Sequence, residues 1–247
     1  MTTIVFGDGP LGRAIAAGLD PGGERPRLLG RPATGRHAPA DLDGADLAIE
    51  ASTDGSVATN VEASLSAGCR RFVIATTGWG ADRARVEEAL VAHDASAVIA
   101  ANFSLGAAIL GRIVADAADA FARVGGFEPF IVEWHRRDKR DRPSGTALAL
   151  ADRLRPATDR SRELEIVSVR AGASPGMHLV GFDSPGESFE IRLTARDRQA
   201  YVAGIATAAA WLDRGPRLPG SHPFDRVIDD LLADAATLPE TETLTAA

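Results

Sequence analysis

Between Glu133 and Ala147 the chain reads E-W-H-R-R-D-K-R-D-R-P-S-G-T-A, which puts one histidine and five cationic side chains within the eight residues 135–142. His135 is a proton carrier in the neutral range. Lys139 is a compact point charge, the one lysine among 27 basic residues, and physically unlike the planar forks of the arginines around it. Pro143-Ser144-Gly145-Thr146 then runs into an Ala-rich apolar stretch. Ser144 therefore reads as a helix cap, and the free amides of Gly145 and Thr146 as an anion site. An acid/base group, a point cation and an anion-binding helix end in one segment are the means to hold a small carboxylate and hand it a proton. His135 and Lys139 are the candidate catalytic residues, and Arg136, Ser144, Gly145 and Thr146 the candidate substrate contacts. Two blander readings compete, a solvated charged face and a basic patch for nucleic acid. A net charge of -7 and the near absence of interleaved aromatics count against nucleic acid.

A second constellation opens the chain. Gly7-Asp8-Gly9-Pro10-Leu11-Gly12 is a G-x-G-x-x-G directly after the apolar run Thr3 to Phe6 and at the head of a helical pattern. In that setting glycines permit a tight turn and let backbone approach a pyrophosphate at a helix N-terminus, so Gly7, Gly9, Pro10, Leu11 and Gly12 are read as cofactor-binding. No carboxylate stands at the end of the second strand, where NAD binding would use one. Arg31 stands there instead, with Arg36 and His37 close behind, which favours the 2′-phosphate of NADPH over NADH while leaving NADH open. Thr76-Thr77-Gly78 and Ala101-Asn102-Phe103-Ser104 follow the fourth and fifth strands, where a nicotinamide would be held among small residues.

The elements that must position these groups follow from periodicity. Short apolar runs at Thr3 to Phe6, Arg27 to Leu29, Leu47 to Ala51, Phe72 to Ala75 and Val98 to Ala101 alternate with helical patterns at Leu11 to Leu19, Val57 to Ala67 and Asp82 to His93. That alternation predicts a parallel, doubly wound sheet of the Rossmann type. Residues 21–46, rich in Pro, Gly and charge, predict a curtailed crossover. After Ser104 come a helix from Gly106 to Arg123, a strand Pro129 to Glu133, a charged loop and the helix opening near Ser144. Strands at Leu164 to Arg170, His178 to Phe182 and Ser188 to Thr194 have no helices between them, which predicts a second, mixed or antiparallel sheet. Helices Tyr201 to Leu212 and Phe224 to Leu232 return to the first unit, and Glu240 to Ala247 reads as a frayed tail. The expected division is a dinucleotide-binding domain, 1–104 with 201–247, and a smaller α+β domain, 105–200, for substrate and for assembly.

Length and composition bound the rest. With 247 residues, 45% of them hydrophobic, the chain can bury real cores. One cysteine, Cys69, excludes an intrachain disulfide, and no CxxC or Cys/His cluster points to a metal. The expected setting is the cytoplasm, since no secretory leader, long apolar span or membrane anchor is visible.

The 133–147 stretch resembles the signature E-x-H-H-x-x-K-x-D-A-P-S-G-T-A of the dihydrodipicolinate reductase family, with Glu133, His135, Lys139, Asp141 and Pro143 to Ala147 in register. Ile74-Ala75-Thr76-Thr77-Gly78 is similar to that family's I-G-T-T-G, and Ala100 to Gly106 to its A-x-N-F-S-x-G. Val169 to Gly172, His178, Arg198 and Tyr201-Val202-Ala203-Gly204 fall in the family's order. The resemblance implies NADPH- or NADH-dependent reduction of a cyclic dicarboxylate imine, or its hydroxylated precursor, in lysine and diaminopimelate synthesis. It implies His135 as general acid and Lys139 as the group that polarises or protonates the ring nitrogen and holds a carboxylate. Gly145 and Thr146 would take the other carboxylate, and the assembly would be a homo-oligomer, dimer or tetramer. The chain departs from the family where Arg136 replaces the second histidine, where Arg142 replaces the alanine, and in a shorter connection between Leu154 and Leu164. A divergent relative acting on another anionic cyclic imine and a non-catalytic dinucleotide sensor stay open as alternatives. The Asn102 to Gly106 junction is the expected hinge.

Overall fold

The computed structural model describes residues 1–19, 25–33, 35, 37–158 and 163–236. Arg36, part of the 21–46 crossover, part of the Leu154 to Leu164 connection and the Glu240 to Ala247 tail lie outside the described residues. The chain runs β1 (Thr3–Phe6), α1 (Pro10–Gly18), β2 (Arg27–Leu29), α2 (Pro39–Leu42), β3 (Leu47–Glu50), α3 (Val57–Ser66), β4 (Arg71–Ile74), α4 (Arg83–Ala92) and β5 (Ser96–Ile99). It continues through α5 (Leu105–Val124), β6 (Glu128–His135), α6 (Gly145–Leu154), β7 (Glu165–Arg170), β8 (Gly176–Asp183), β9 (Ser188–Ala195), α7 (Gln199–Asp213), β10 (Gly220–Pro223) and α8 (Phe224–Ala236).

Six strands form one parallel sheet in the order β10-β5-β4-β3-β1-β2. Both faces are covered, and alternation along each strand decides which side chain goes where. Ile4, Phe6, Phe72 and Ile74 pack with Val61, Leu65, Val86 and Leu90 of α3 and α4. Val5, Ile49, Val73 and Val98 pack with Ile15 of α1, Val202 and Ile205 of α7 and Ile228 of α8. Each such fully buried aliphatic or aromatic side chain contributes about 1.5–3 kcal/mol. The second sheet is mixed, in the order β7-β6-β8-β9, with β6 and β7 parallel and the other pairs antiparallel. Ile131, Val180 and Phe182 on its inner face meet Leu110, Val114, Leu150 and Leu154 from α5 and α6. On the outer face, Val132 stands opposite Val167, and Trp134 opposite Val169. Trp134, Val167 and Val169 are exposed there at 40%, 44% and 38%.

Three local expectations need correction. Strand β6 continues to His135, so this histidine projects from a hydrogen-bonded strand and not from the charged loop. Strand β5 ends at Ile99, which leaves Ala101 and Asn102 in the loop beyond it. Strand β10 was not foreseen: Gly220-Ser221-His222-Pro223 has the composition of a turn, yet it lies at the sheet edge, where a terminal proline is tolerated. The curtailed crossover contains the four-residue α2. Among the described residues no helix is long and apolar enough to cross a membrane.

Candidate active site

Strand register assembles the site's centre. Glu133 on β6 pairs with Ser168 on β7 and His178 on β8, and His135 pairs with Arg170. Glu133 is fully buried. Its Oε1 accepts hydrogen bonds from the Ser144 amide at 3.0 Å, the Ser168 hydroxyl at 2.5 Å and Arg170 at 2.8 Å. Oε2 accepts none and faces His135 Nδ1 at 3.3 Å and His178 Nε2 at 3.7 Å. The Ser144 hydroxyl lies 3.1 Å from His178 Nε2. It also caps α6 by accepting from the Ala147 amide. One buried carboxylate thus ties together His135, His178 and the N-terminus of α6.

The electrostatics follow from these contacts. Burial pushes the Glu133 carboxyl up, but the hydrogen bonds from Ser144, Ser168 and Arg170 overrule it and hold it at about 2. Burial lowers His135 below its ordinary value, with Glu133 pulling it up and Lys139 and Arg170 pushing it down. His178 is driven down to about 4, first by burial and then by His135. Lys139 holds Asp141 at 2.8 Å and lowers that carboxyl. Arg136 pairs with Asp138 at 2.8 Å.

His135, Lys139, Asp141, Ser144 and His178 line a cavity of about 760 Å³ between the two sheets, with Glu133 and Arg170 behind them. His135, Arg136, Lys139, Ser144, Gly145 and Thr146 come from one side, and Thr77, Ala101, Asn102, Phe103, Ser104 and Leu11 from the other. Asn102 Nδ2 reaches Thr146 Oγ1 at 3.3 Å across the cleft. Ser104 caps α5. The Asn102 to Ser104 stretch is fixed from below by α7, because a β-carbon on Gly204 would stand 1.7 Å from the Phe103 carbonyl oxygen. Only glycine allows that approach.

The remaining sequence candidates lie apart from this lining. Gly7, Gly9, Pro10 and Gly12 form the turn from β1 into α1. A β-carbon on Gly12 would stand 1.8 Å from the Gly7 carbonyl oxygen, so the turn is closed on itself, while a β-carbon on Gly9 would meet nothing within 4 Å. Gly9 caps α1 with Pro10 in the first turn, which leaves the helix amides open for a phosphate. Gly78 has φ +89 and faces Asp54. Thr76 turns away and donates to the buried Glu50, which burial raises and which also accepts from Ser52 and Asn60. Arg31 is exposed just beyond β2.

Spacing assigns no role to Glu133, His178 or Arg170, although Glu133 stands in register with the family signature and Arg170 and His178 fall in the family's order. Their signal was visible only as strand alternation once β6 was known to reach His135. The absence of a Cys/His cluster in the sequence is also incomplete as a test for metals. Glu133, His135 and His178 bring ligand atoms within 4.8 Å of one another. Arg170 and Lys139 beside them oppose a cation.

A family model described as the C-terminal part of dihydrodipicolinate reductase matches residues 106–225. The 4-hydroxy-tetrahydrodipicolinate reductase of Wolinella succinogenes is 35% identical over 193 residues, covering 69% of this chain and 72% of the relative. That of Methanosarcina barkeri is 33% identical over 198 residues, covering 74% and 73%. Among solved structures, a dipicolinate-bound dihydrodipicolinate reductase from Paenisporosarcina sp. superposes with a TM-score of 0.72 at 18% identity, over 90% of this chain and 97% of that one. A probable dehydrogenase from Thermotoga maritima superposes at 0.60 with 13% identity, over 96% and 95%, and shares the fold. The two-sheet architecture, the Glu133 to Ala147 signature and identity above 30% across most of both relatives converge, and the chain belongs to the 4-hydroxy-tetrahydrodipicolinate (dihydrodipicolinate) reductase family.

Proposed function

We propose that this protein is an NAD(P)H-dependent oxidoreductase that reduces a cyclic dicarboxylate imine, 4-hydroxy-tetrahydrodipicolinate, to tetrahydrodipicolinate in lysine and diaminopimelate synthesis, with the 4-hydroxyl group leaving as water. The observation that carries this reading is that His135, Lys139 and the α6 N-terminus share one cavity with the loops after β4 and β5. The open Gly9 and the free α1 amides fit a pyrophosphate, and Thr77, Ala101 and Asn102 fit the nicotinamide end. When bound, the cofactor supplies hydride. NADPH is the preferred form in this reading, through Arg31.

The chain's own residues hold the substrate and move its proton. Gly145 and Thr146 at the start of α6 receive one carboxylate through backbone amides and the Thr146 hydroxyl. Lys139, steadied by Asp141, holds the other carboxylate and polarises or protonates the ring nitrogen. Arg136 adds a fixed charge where relatives carry a second histidine. His135 is the general acid. In the free site burial keeps its imidazole neutral near pH 7, and a bound dianion favours the imidazolium, so the acid is charged in the complex that uses it. Glu133 Oε2, 3.3 Å from Nδ1, favours positive charge on the ring when the acid is charged.

In this reading residues 1–104 and 201–247 bind the dinucleotide and 105–200 bind substrate and assemble the oligomer. The open apolar face around Trp134, Val167 and Val169 supports a dimer or tetramer through the second sheet. A buried, single Cys69 is at ease in a reducing cytoplasm.

The test is NADPH oxidation at 340 nm with freshly generated 4-hydroxy-tetrahydrodipicolinate, beside NADH and a no-substrate control. Turnover is expected, and His135→Ala should lower it by roughly 10²–10⁴-fold with cofactor affinity retained. Cofactor binding without turnover would move the assignment to another anionic cyclic imine or to a sensor.

A further inference from the structure

The end of β2 carries no acid in sequence, yet the structure brings one to it. Asp8, the second residue of the glycine turn, lies against Gly30, the residue that follows β2. A β-carbon built on Gly30 would stand 3.4 Å from both Cγ and Oδ2 of Asp8. The space that an acidic side chain at position 30 would enter is therefore held by the carboxylate of Asp8. Backbone contacts hold the turn against the strand end. The Gly7 amide donates to the Leu29 carbonyl at 2.8 Å, which ties the turn to the strand end, and the Asp8 carbonyl accepts from Arg13 Nε at 2.6 Å.

In doubly wound nucleotide-binding sheets this point faces the adenosine ribose, where a carboxylate accepts hydrogen bonds from the hydroxyls and repels a 2′-phosphate. We propose that Asp8, supplied by the glycine turn and not by β2, is the residue that receives the ribose 2′-hydroxyl and makes NADH a working cofactor of this chain. Arg31, the next residue after Gly30 and exposed, lies on the same point of the chain with the opposite charge. The pair gives two answers to one question: Asp8 recognises a diol and Arg31 a 2′-phosphate. The proposal rests on the reading that the glycine turn holds a dinucleotide.

The experiment is equilibrium binding of NADH and of NADPH, by the fluorescence of the reduced nicotinamide, to the wild type, Asp8→Asn, Asp8→Ala and Arg31→Ala. Thermal unfolding of each variant checks that the fold is intact. Loss of a charged hydrogen-bond acceptor should weaken NADH by about tenfold or more. NADPH should bind Asp8→Ala and Asp8→Asn as tightly as the wild type or more tightly, so that the NADPH preference rises at least about tenfold. Arg31→Ala should move the preference the other way. Equal weakening of both cofactors, or no change in either, in Asp8 variants that remain folded overturns the role of Asp8 and leaves the dinucleotide site standing. A wild type that binds neither cofactor overturns the site itself, and the proposal with it.

Discussion

Replacing Glu133 by glutamine removes one charge from the centre of the site and keeps its size. In the folded protein the carboxyl titrates at about 2 against an ordinary 4.5. At 1.36 kcal/mol per pH unit, that difference is worth about 3 kcal/mol of stability at pH 7. The sign is that of a depressed acid: the contribution is complete above pH 4.5 and disappears as the pH falls from there toward 2. Glu133→Gln should therefore be about 3 kcal/mol less stable than the wild type at pH 7, with the gap shrinking to roughly half at pH 3. Arg170, left buried without its counter-ion, is part of that loss at neutral pH. Urea unfolding of both proteins at pH 7, 5, 4 and 3 measures this directly. The same substitution removes the charge that pulls His135 upward, so the alkaline limb of kcat/KM, where the general acid loses its proton, should move to lower pH. A variant as stable as the wild type at pH 7, or a gap that stays constant down to pH 3, would refute the reasoning that the ionised carboxylate is the group the fold is built to hold.

Three further outcomes are expected. Lys139→Arg should leave turnover about tenfold or more below the wild type in the 340 nm assay, because a planar guanidinium can neither replace a compact ammonium at a ring nitrogen nor give up its proton. If the open face of the second sheet carries the proposed dimer or tetramer, Val167→Glu should be monomeric in light scattering where the wild type is not, without altering the circular dichroism of the fold. Gly204→Ala would force a β-carbon into the Phe103 carbonyl. It should cost about 1–3 kcal/mol or more in thermal unfolding and weaken cofactor binding by shifting the Asn102 to Ser104 stretch.

Much of this was legible before the fold was known. Strands β1 to β5 of the first sheet and the Ser144 cap are local signals, carried by alternation, by periodicity and by a capping residue before an Ala-rich run. His135, Lys139 and Thr146 were legible as chemistry because they stand close together in the chain. The parts that escaped depend on register or on chain crossings. Glu133 and His178 become neighbours only through the pairing of β6 with β8. Asp8 reaches Gly30 only because β1 and β2 lie side by side. Strand β10 is strand only because β5 offers it a free edge, and its own residues would otherwise turn.

The return of the chain to its first sheet sets an order of manufacture. Val202, Ile205, Phe224 and Ile228, which cover one face of that sheet, arrive from α7 and α8 some hundred residues after β5 has emerged. Throughout that interval on the ribosome Val5, Ile49, Val73 and Val98 have no partner from the later helices, while the second sheet, contiguous in sequence, can close first. A nascent chain halted before residue 199 would be a half-lined sheet and a substrate for chaperones. A circular permutant that moves α7, β10 and α8 ahead of β1 would make the same molecule in an order that never leaves that face bare.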